Sequence, residues 1–323
     1  MLNIVLTGAT GYVGRALLKC LEQLPDGEVS VKALVRSPER IKLPSFVEVV
    51  EGCLPEVPSQ LFYEVPHVLI HLGVKQIDDD ESGFHETNVH GTQNLLEKCN
   101  VHTLGTIYAS TLSVQGQKKQ TSIAEHEALK PQTKLAKSRA EAEQLVTLYM
   151  ENFEKWGFNL RPRFILGKED QYVLPGFIKL ARNGAYIGDG KQQYSVITVN
   201  DYAAVILKLT QLMCDQSQLT GKKLIHPQQV SVNVGYQQPL SFDQIFTEIR
   251  RHEATKKRVI PLRFPKWLPG LLKWIPNKVI ESKATQLELI GFDHYGDVSR
   301  LEQLIGPDII QQNSLDKLKS LFD

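Results

Sequence analysis

Short apolar runs alternate with amphipathic stretches along the first half of the chain. The apolar runs have the length of buried strands, and the stretches between them carry apolar residues at helical spacing. Strands are predicted, in chain order, at 2–7, 29–36, 47–52, 67–73 and 103–111. Short buried strands that alternate with helices indicate right-handed βαβ units and a parallel, doubly wound sheet. The pattern therefore predicts an α/β fold.

The first helix is predicted directly after the first strand. Val13, Leu17, Leu21 and Leu24 recur at helical spacing, and the turn Pro25-Asp26-Gly27 ends the pattern. Further helical patterns are predicted, in chain order, at 87–99, 145–156 and 315–322. The first two of these flank the fifth predicted strand, as alternating strands and helices require.

Composition excludes several classes of protein. The chain has 323 residues, 42% hydrophobic and 23% charged, which is ordinary globular usage for about two structural units. Its 37 basic and 36 acidic residues give a net charge of +1, and this balance does not favour a nucleic-acid partner. The four cysteines form no CxxC, so neither a disulfide framework nor a zinc ribbon is expected. No run of 18 apolar residues and no signal peptide are found, so we expect no transmembrane span and a cytoplasmic location.

A glycine-rich turn joins the first strand to the first helix. A strand-to-helix turn without Cβ atoms lets backbone N–H groups approach a pyrophosphate, and the helix N-terminus adds partial positive charge. The turn therefore predicts a dinucleotide site, and a tight turn without a ligand is the alternative. The residues expected to line the pyrophosphate are Gly8, Thr10, Gly11, Tyr12, Val13 and Gly14.

The end of the second strand indicates which dinucleotide binds. An acidic residue there would accept hydrogen bonds from a ribose 2′-hydroxyl, but this chain has Arg36, with Arg40 four residues later. A guanidinium pairs with a 2′-phosphate through charge-assisted hydrogen bonds. We therefore predict NADP(H) rather than NAD(H) as the cofactor. The alternative is a solvated arginine on a loop.

The second half of the chain is less regular than the first. Residues 159–167 are predicted to form a strand that reaches a turn, and no clean linker follows. We predict a dinucleotide-binding domain at 1–165. A mixed region at 166–323 is expected to complete the sheet and to form a smaller lobe for a substrate or partner.

Several short motifs follow one another along the chain. They are Thr7–Gly14, Asn88-Val89-His90-Gly91-Thr92, Tyr108-Ala109-Ser110-Thr111, Val114-Gln115-Gly116, Lys137-Ser138-Arg139-Ala140-Glu141, Arg161-Pro162, Gly167, Gly188-Asp189-Gly190 and Val199-Asn200-Asp201. In their order and spacing they resemble the extended short-chain dehydrogenase/reductase family, of the NAD-dependent epimerase/dehydratase kind. The resemblance covers most of the chain and implies a Rossmann fold with a smaller C-terminal substrate lobe.

The resemblance also implies a catalytic group that this chain lacks. In the family a tyrosine stands four residues before the lysine, and in this chain Thr133 stands four before Lys137. A threonine hydroxyl forms hydrogen bonds but does not ionise usefully, and the loss of a general acid is worth about 10²–10⁴-fold in rate. The candidate catalytic residues are Thr111, Thr133 and Lys137, and Lys137 is expected to face the nicotinamide ribose.

Two functions remain open at this point. The first is an NADP-dependent oxidoreductase that acts on a carbonyl or hydroxyl group of a small molecule. The second is a catalytically inactive NADP-binding sensor or assembly protein. Without the tyrosine, the chain resembles an atypical branch of the family that includes the Rossmann accessory subunit of respiratory complex I. This resemblance favours the second function. The retained Lys137 and Thr111 favour the first.

Residues 256–280 combine basic residues with tryptophan and leucine. One interpretation is an interfacial element, with peripheral membrane contact through 260–280, or a lid over an apolar substrate. The alternative is a proline-broken helix that packs its Trp267 and Trp274 side chains inward. The other expected partners are a small-molecule substrate and a second copy of the chain in a homodimer. No metal site is predicted, because His67 and His71 lie along a strand without paired ligand spacing.

Overall fold

The computed structural model describes residues 1–78, 81–218, 229–253, 262–265, 267–272, 274–275, 284, 287 and 289–322. Its strands are β1 (Leu2–Thr7), β2 (Val29–Val35), β3 (Val47–Glu51), β4 (His67–His71), β5 (Thr103–Ala109), β6 (Gln120–Ile123), β7 (Trp156–Pro162), β8 (Phe164–Leu166), β9 (Ala185–Ile187), β10 (Gln193–Tyr194), β11 (Val196–Thr198), β12 (Gln229–Val234), β13 (Leu240–Ser241), β14 (Leu262–Phe264) and β15 (His294–Gly296). Its α-helices are α1 (Tyr12–Leu21), α2 (Gly83–His85), α3 (Gly91–Glu97), α4 (Lys134–Asn152), α5 (Val173–Arg182), α6 (Val199–Gln218), α7 (Phe242–Glu253), α8 (Leu268–Leu272), α9 (Ser299–Ile305), α10 (Pro307–Ile310) and α11 (Ser314–Lys319).

A seven-stranded sheet forms the centre of the fold, with the order β12-β7-β5-β4-β1-β2-β3. The pairs from β3 through β7 are all parallel. The predicted α/β class with a doubly wound parallel sheet is therefore confirmed. The five predicted strands are β1 to β5, and each observed end lies within two residues of the predicted one. The strand order reverses between β1 and β4, which is the usual ligand position in such sheets.

The core explains why the strands read as continuous apolar runs. Ile4, Val5 and Leu6 are all fully buried, because helices cover the sheet on both faces. Helix α1 packs on α6, and α3 packs on α4. No helix in the described ranges combines the length and the apolarity that a membrane crossing requires.

Helix α4 differs from its predicted bounds. The pattern at 145–156 predicts a helix that ends at Trp156, but α4 begins at Lys134 and ends at Asn152. Trp156 instead begins β7, where it is buried and pairs with Gly105 of β5. The predicted end was wrong because an apolar residue at the start of a buried strand continues the apolar pattern of the helix before it.

The chain divides into two compact units. The first consists of 1–114, 128–161 and 199–232, and the second of 115–127, 162–198 and 233–323. The first unit contains the central sheet. Its last segment, 199–232, contributes α6 and most of β12. The second unit contains a four-stranded sheet of the order β13-β10-β15-β6 and the two-stranded pairs β11-β8 and β14-β9. The predicted boundary at 165 lies beside one of the five points where the chain passes between units.

Candidate functional site

Two glycines of the turn after β1 are required by close backbone packing. Gly8 has a φ of 77°, and a Cβ there would lie 2.7 Å from the carbonyl carbon of Leu72. A Cβ on Gly14 would lie 2.1 Å from the carbonyl oxygen of Gly8, so the first turn of α1 packs directly on the end of β1. Any side chain at either position forces the backbone to move. The turn is therefore held tightly against the crevice between β1 and β4.

Gly11 has a different environment. It is exposed, precedes α1 as its N-cap residue with a φ of −75°, and has no side chain to cap the helix. Its amide donates to the Gly8 carbonyl at 3.0 Å. Because no acidic side chain occupies the first turn of α1, the helix N-terminus presents partial positive charge without a neutralising carboxylate. Of the predicted pyrophosphate-lining residues, Gly8, Thr10 and Gly11 lie in this turn, and Tyr12, Val13 and Gly14 begin α1.

The carboxyl ends of neighbouring parallel strands meet at the same edge of the sheet. Thr7 at the end of β1 pairs with Leu34 of β2 and with His71 of β4. Arg36 follows β2 directly and is exposed, and in the described part of the chain it makes no hydrogen bond or ion pair. This edge is where a bound dinucleotide lies in doubly wound sheets.

His71 fixes the floor of this edge through a directed series of hydrogen bonds. The Gly73 amide donates to Thr7 Oγ1 at 3.0 Å, and Thr7 Oγ1 lies 2.7 Å from His71 Nδ1. His71 Nε2 lies 2.9 Å from Thr92 Oγ1, which donates to the Asn88 carbonyl at 2.5 Å. Since each hydroxyl has one hydrogen, His71 accepts at Nδ1 and donates at Nε2. Burial lowers the pKa of His71 to about 3, so the ring stays neutral.

Asn88 ties the segment after β4 to helix α4. Its Oδ1 accepts from the Lys75 amide at 2.8 Å, and its Nδ2 donates to the Lys75 carbonyl at 3.1 Å and to Ser138 Oγ at 3.0 Å. The side chain is fully buried. Its role is therefore structural.

The predicted threonines both bond to backbone. Thr111 lies two residues beyond β5, and its hydroxyl accepts from the Ser113 amide at 3.3 Å. Thr133 is the N-cap residue of α4, and its hydroxyl accepts from the Ala136 amide at 3.2 Å. In the described chain no hydrogen bond joins these two hydroxyls to each other or to Lys137.

Helix α4 carries two pairs of a basic and an acidic residue at the same spacing, and it buries only one of them. Lys137 is exposed, and Glu141 is half-exposed and pairs with His85 at 3.2 Å. Two residues later, Arg139 and Glu143 are only 4% and 2% exposed. Arg139 is the residue that sequence reasoning missed. Val146 and Met150 are fully buried, and they continue the helix face of residues 139 and 143, so the apolar periodicity contains the signal.

Glu143 is the centre of a buried polar cluster. Its carboxylate accepts from Arg161 Nε at 3.1 Å, from Ser110 Oγ at 2.6 Å and from Ser231 Oγ at 2.9 Å. Arg161 also donates to it from Nη2. The carboxylate therefore neutralises Arg161 and fixes the residue that follows β5.

No carboxylate among the residues that the structure describes pairs with Arg139 in this way. Its Nη2 donates to the Ala109 carbonyl at the end of β5, and its guanidinium lies 5.9 Å from the ring centroid of Tyr108. Its buried Nε and the hydroxyls of Tyr108 and Tyr202 have no hydrogen-bond partner within the described ranges. Burial raises the pKa of Tyr108 to about 12, although the Arg139 charge lowers it. A permanent cation thus lies buried at the same sheet edge as the glycine turn.

The histidines of the first unit bond to protein groups. His67 Nδ1 lies 2.8 Å from the Val65 carbonyl and its Nε2 lies 2.9 Å from Thr103 Oγ1. His90 pairs with Glu86 at 2.9 Å. Among the residues that the structure describes, no three potential metal ligands converge.

Comparisons with known proteins agree with this fold and turn. The model of a family described as NAD dependent epimerase/dehydratase matches residues 4–218. A 2-alkyl-3-oxoalkanoate reductase from Stenotrophomonas maltophilia (strain K279a) is 28% identical over 223 residues, which are 62% of this chain and 63% of the relative. The match therefore spans less than two thirds of that relative's length.

Solved structures extend the likeness to the whole chain. The UDP-glucuronic acid 4-epimerase from Bacillus cereus, in complex with NAD, has a TM-score of 0.73 at 19% identity and covers 100% of this chain and 98% of its own. The UDP-N-acetylglucosamine 4-epimerase from Methanobrevibacter ruminantium M1, in complex with UDP-N-acetylmuramic acid, has a TM-score of 0.72 at 16% identity, covering 99% and 96%. At these identities the likeness shows the fold alone.

Proposed function

The chain belongs to the NAD dependent epimerase/dehydratase family, and on that premise we propose that it is an NADP(H)-dependent oxidoreductase. Its substrate would be a small molecule with a carbonyl or hydroxyl group. The observation that carries the proposal is the glycine turn, which lies at the switch point of the sheet and leads into a helix N-terminus that no side chain caps. The turn fits a pyrophosphate because Gly11, the exposed N-cap residue of α1, has no Cβ that would keep a ligand away from the backbone.

The preference for NADP(H) rests on Arg36. The guanidinium is exposed directly after β2, where a ribose 2′-substituent lies in this fold. A hydrogen bond to a charged group is worth about 1.5–3 kcal/mol, or about 10–100-fold in affinity. The residues that would hold the dinucleotide are thus the glycine turn for the pyrophosphate and Arg36 for the 2′-phosphate.

Arg36→Gln is expected to weaken NADPH binding by about 10–100-fold and to change NADH binding by less than about twofold, because only NADPH has the 2′-phosphate. Isothermal titration calorimetry with both dinucleotides measures this. Arg182→Gln, at an exposed arginine in the last turn of α5, is the matched control and should bind as the wild type does. Tighter binding of NADH than of NADPH by the wild-type chain would contradict the assignment.

The chemistry of the site divides between the cofactor and the chain. A bound nicotinamide supplies or accepts the hydride. The chain then has to stabilise charge on the substrate oxygen and to deliver a proton. Arg139 suits the first task, because it is a buried permanent cation at the end of β5. Lys137, Thr111 and Thr133, together with solvent, are the candidates for the second.

A second candidate function is an NADP-binding protein without catalysis, which senses the redox state or joins an assembly. The Thr133 hydroxyl favours it, because that oxygen caps α4 at the position where the family resemblance places an ionisable tyrosine. Turnover of NADPH against aldehydes, ketones and 3-oxo acids separates the two candidates. Dinucleotide binding without turnover on any of them would leave only the second.

Besides these tasks, Arg139 and Lys137 are the two candidates for the cation that contacts the nicotinamide half of the dinucleotide. If Arg139 is that cation, Arg139→Met should weaken NADPH binding by about tenfold, and Lys137→Met by less than about twofold. Arg139→Lys keeps a charge in the buried position and should retain most of the affinity. Circular dichroism and thermal unfolding check that each variant folds. The reverse pattern would assign the role to Lys137, as the sequence predicts.

A further inference from the structure

A short segment of the second unit exposes large apolar side chains. Between residues 262 and 275 these are Leu262 (63% exposed), Trp267 (62%), Leu271 (58%), Trp274 (86%) and Ile275 (42%). We call the described residues of this stretch, 262–265, 267–272 and 274–275, the tryptophan segment. Indole side chains normally bury most of their surface, so two exposed tryptophans within eight residues mark a surface that contacts something apolar.

The local structure keeps these side chains outside. Helix α8 buries Pro269, and it leaves Leu271 exposed on its other side. Trp267 precedes this helix and Trp274 follows it. The sequence-based alternative, in which the two tryptophans pack inward, is therefore wrong for both, because each side chain is mostly exposed.

The sequence around the tryptophan segment is strongly basic. Residues 254–280 contain no aspartate or glutamate. Their basic residues are Lys256, Lys257, Arg258, Arg263, Lys266, Lys273 and Lys278. Of these only Arg263 lies within the described residues. Lys256, Lys257 and Arg258, on which the sequence-based interpretation of an interfacial element drew, lie outside them. In a chain with 37 basic and 36 acidic residues, this stretch concentrates positive charge.

Exposed tryptophans combined with uniform positive charge match one kind of surface. Tryptophan has a large apolar body and an N–H donor, and it favours the headgroup level of a bilayer. Lysine and arginine are attracted to anionic lipid headgroups. We propose that the tryptophan segment docks the protein on an anionic phospholipid surface, with Trp267 and Trp274 entering the headgroup region and α8 lying along it.

The same charge argues against a second copy of the chain as the occupant. A two-fold contact through the tryptophan segment would place the same basic stretch of both copies together. Like charges opposed across an interface disfavour it, whereas an anionic bilayer neutralises them. An anionic membrane would therefore bury the exposed tryptophans and also neutralise the basic residues around them.

Vesicle flotation with the full chain tests the proposal. We expect binding to vesicles of equal parts phosphatidylcholine and phosphatidylglycerol to be at least about tenfold tighter than to phosphatidylcholine alone, and to weaken as salt is raised. The double variant Trp267→Ala/Trp274→Ala should lose about tenfold or more in affinity for the anionic vesicles. Phe153→Ala, which removes an aromatic side chain that is 56% exposed outside the segment, should bind as the wild type does.

Two results would overturn the proposal. One is equal binding, or none, to the two kinds of vesicle. The other is a wild-type dimer in light scattering that the double tryptophan variant converts to a monomer while vesicle binding stays absent, which would make a second copy the occupant. Thermal unfolding checks that the double variant is folded. Dinucleotide titration is independent of these readouts, so the outcome does not depend on the proposed function.

Discussion

Gly14→Ala is expected to destabilise the protein by about 3 kcal/mol, while Gly11→Ala is expected to leave it folded and to weaken dinucleotide binding. At Gly14 a Cβ would lie 2.1 Å from the Gly8 carbonyl oxygen, and the three nearest atoms all belong to the backbone of Gly8 and Ala9, so no side-chain rotation relieves the contact. At Gly11 the corresponding distance is 3.2 Å, which a small shift relieves. The added methyl at Gly11 nevertheless enters the approach to the helix amides, so we expect NADPH affinity to fall by at least about tenfold.

Chemical denaturation and NADPH titration of the two variants separate these effects. Gly176→Ala is the control, because a Cβ there meets no atom within 4 Å and the residue lies inside α5. It should change stability by no more than about 1 kcal/mol, in the stabilising direction. Wild-type affinity in Gly11→Ala would remove the glycine turn from the proposed site. An unchanged midpoint in Gly14→Ala would contradict the packing of α1 on β1.

Glu143→Gln is expected to lower the free energy of unfolding by about 3–5 kcal/mol. The carboxylate accepts from Arg161, Ser110 and Ser231, and it is 2% exposed. An amide of the same shape leaves the buried Arg161 guanidinium without a counter-charge. Arg139 lies one helical turn away and pairs with no carboxylate in the described ranges. Urea denaturation monitored by circular dichroism measures the loss.

Glu141→Gln is the matched control for this prediction. It removes the same charge from the same helix two residues earlier, but its side chain is 48% exposed and its partner His85 is 56% exposed. We expect a change of less than about 0.5 kcal/mol, because exposed ion pairs contribute little. Equal losses from the two variants would show that the buried cluster carries no special stability. In the Glu143→Gln background, Arg161→Met should recover part of the loss, since it removes the unpaired cation.

The first half of the fold was predictable because buried parallel strands leave a strong sequence signal. A strand covered by helices on both faces reads as a continuous apolar run, as residues 2–7 do, and its length separates it from a helix. The glycine turn was equally visible, because its glycines are required by the close approach of backbone atoms at Gly8 and Gly14. Strand burial and close backbone packing each act on a short stretch of chain, so a single sequence is enough to reveal them.

The orientation of α4 was harder to predict for a physical reason. The motif of a basic residue four before an acidic one occurs at Lys137 and again at Arg139, and the motif alone does not say which occurrence faces the sheet. Arg139 is the occurrence that faces the sheet, because the apolar residues that follow it on the same helix face are buried. In the second half, strands such as β10 and β13 are two residues long, too short to show a period, and long-range pairing fixes them.

The passage of the chain between its two units has a consequence for dissection by truncation. A gene fragment that stops at residue 165 would encode β1 to β7 without α6 and β12. Leu17 and Leu21 of α1, now fully buried, would lose the helix on which α1 packs, and β7 would become a bare sheet border open to other strands. Such a fragment would aggregate, so engineering that isolates or recombines the nucleotide half must carry residues 199–232 with it.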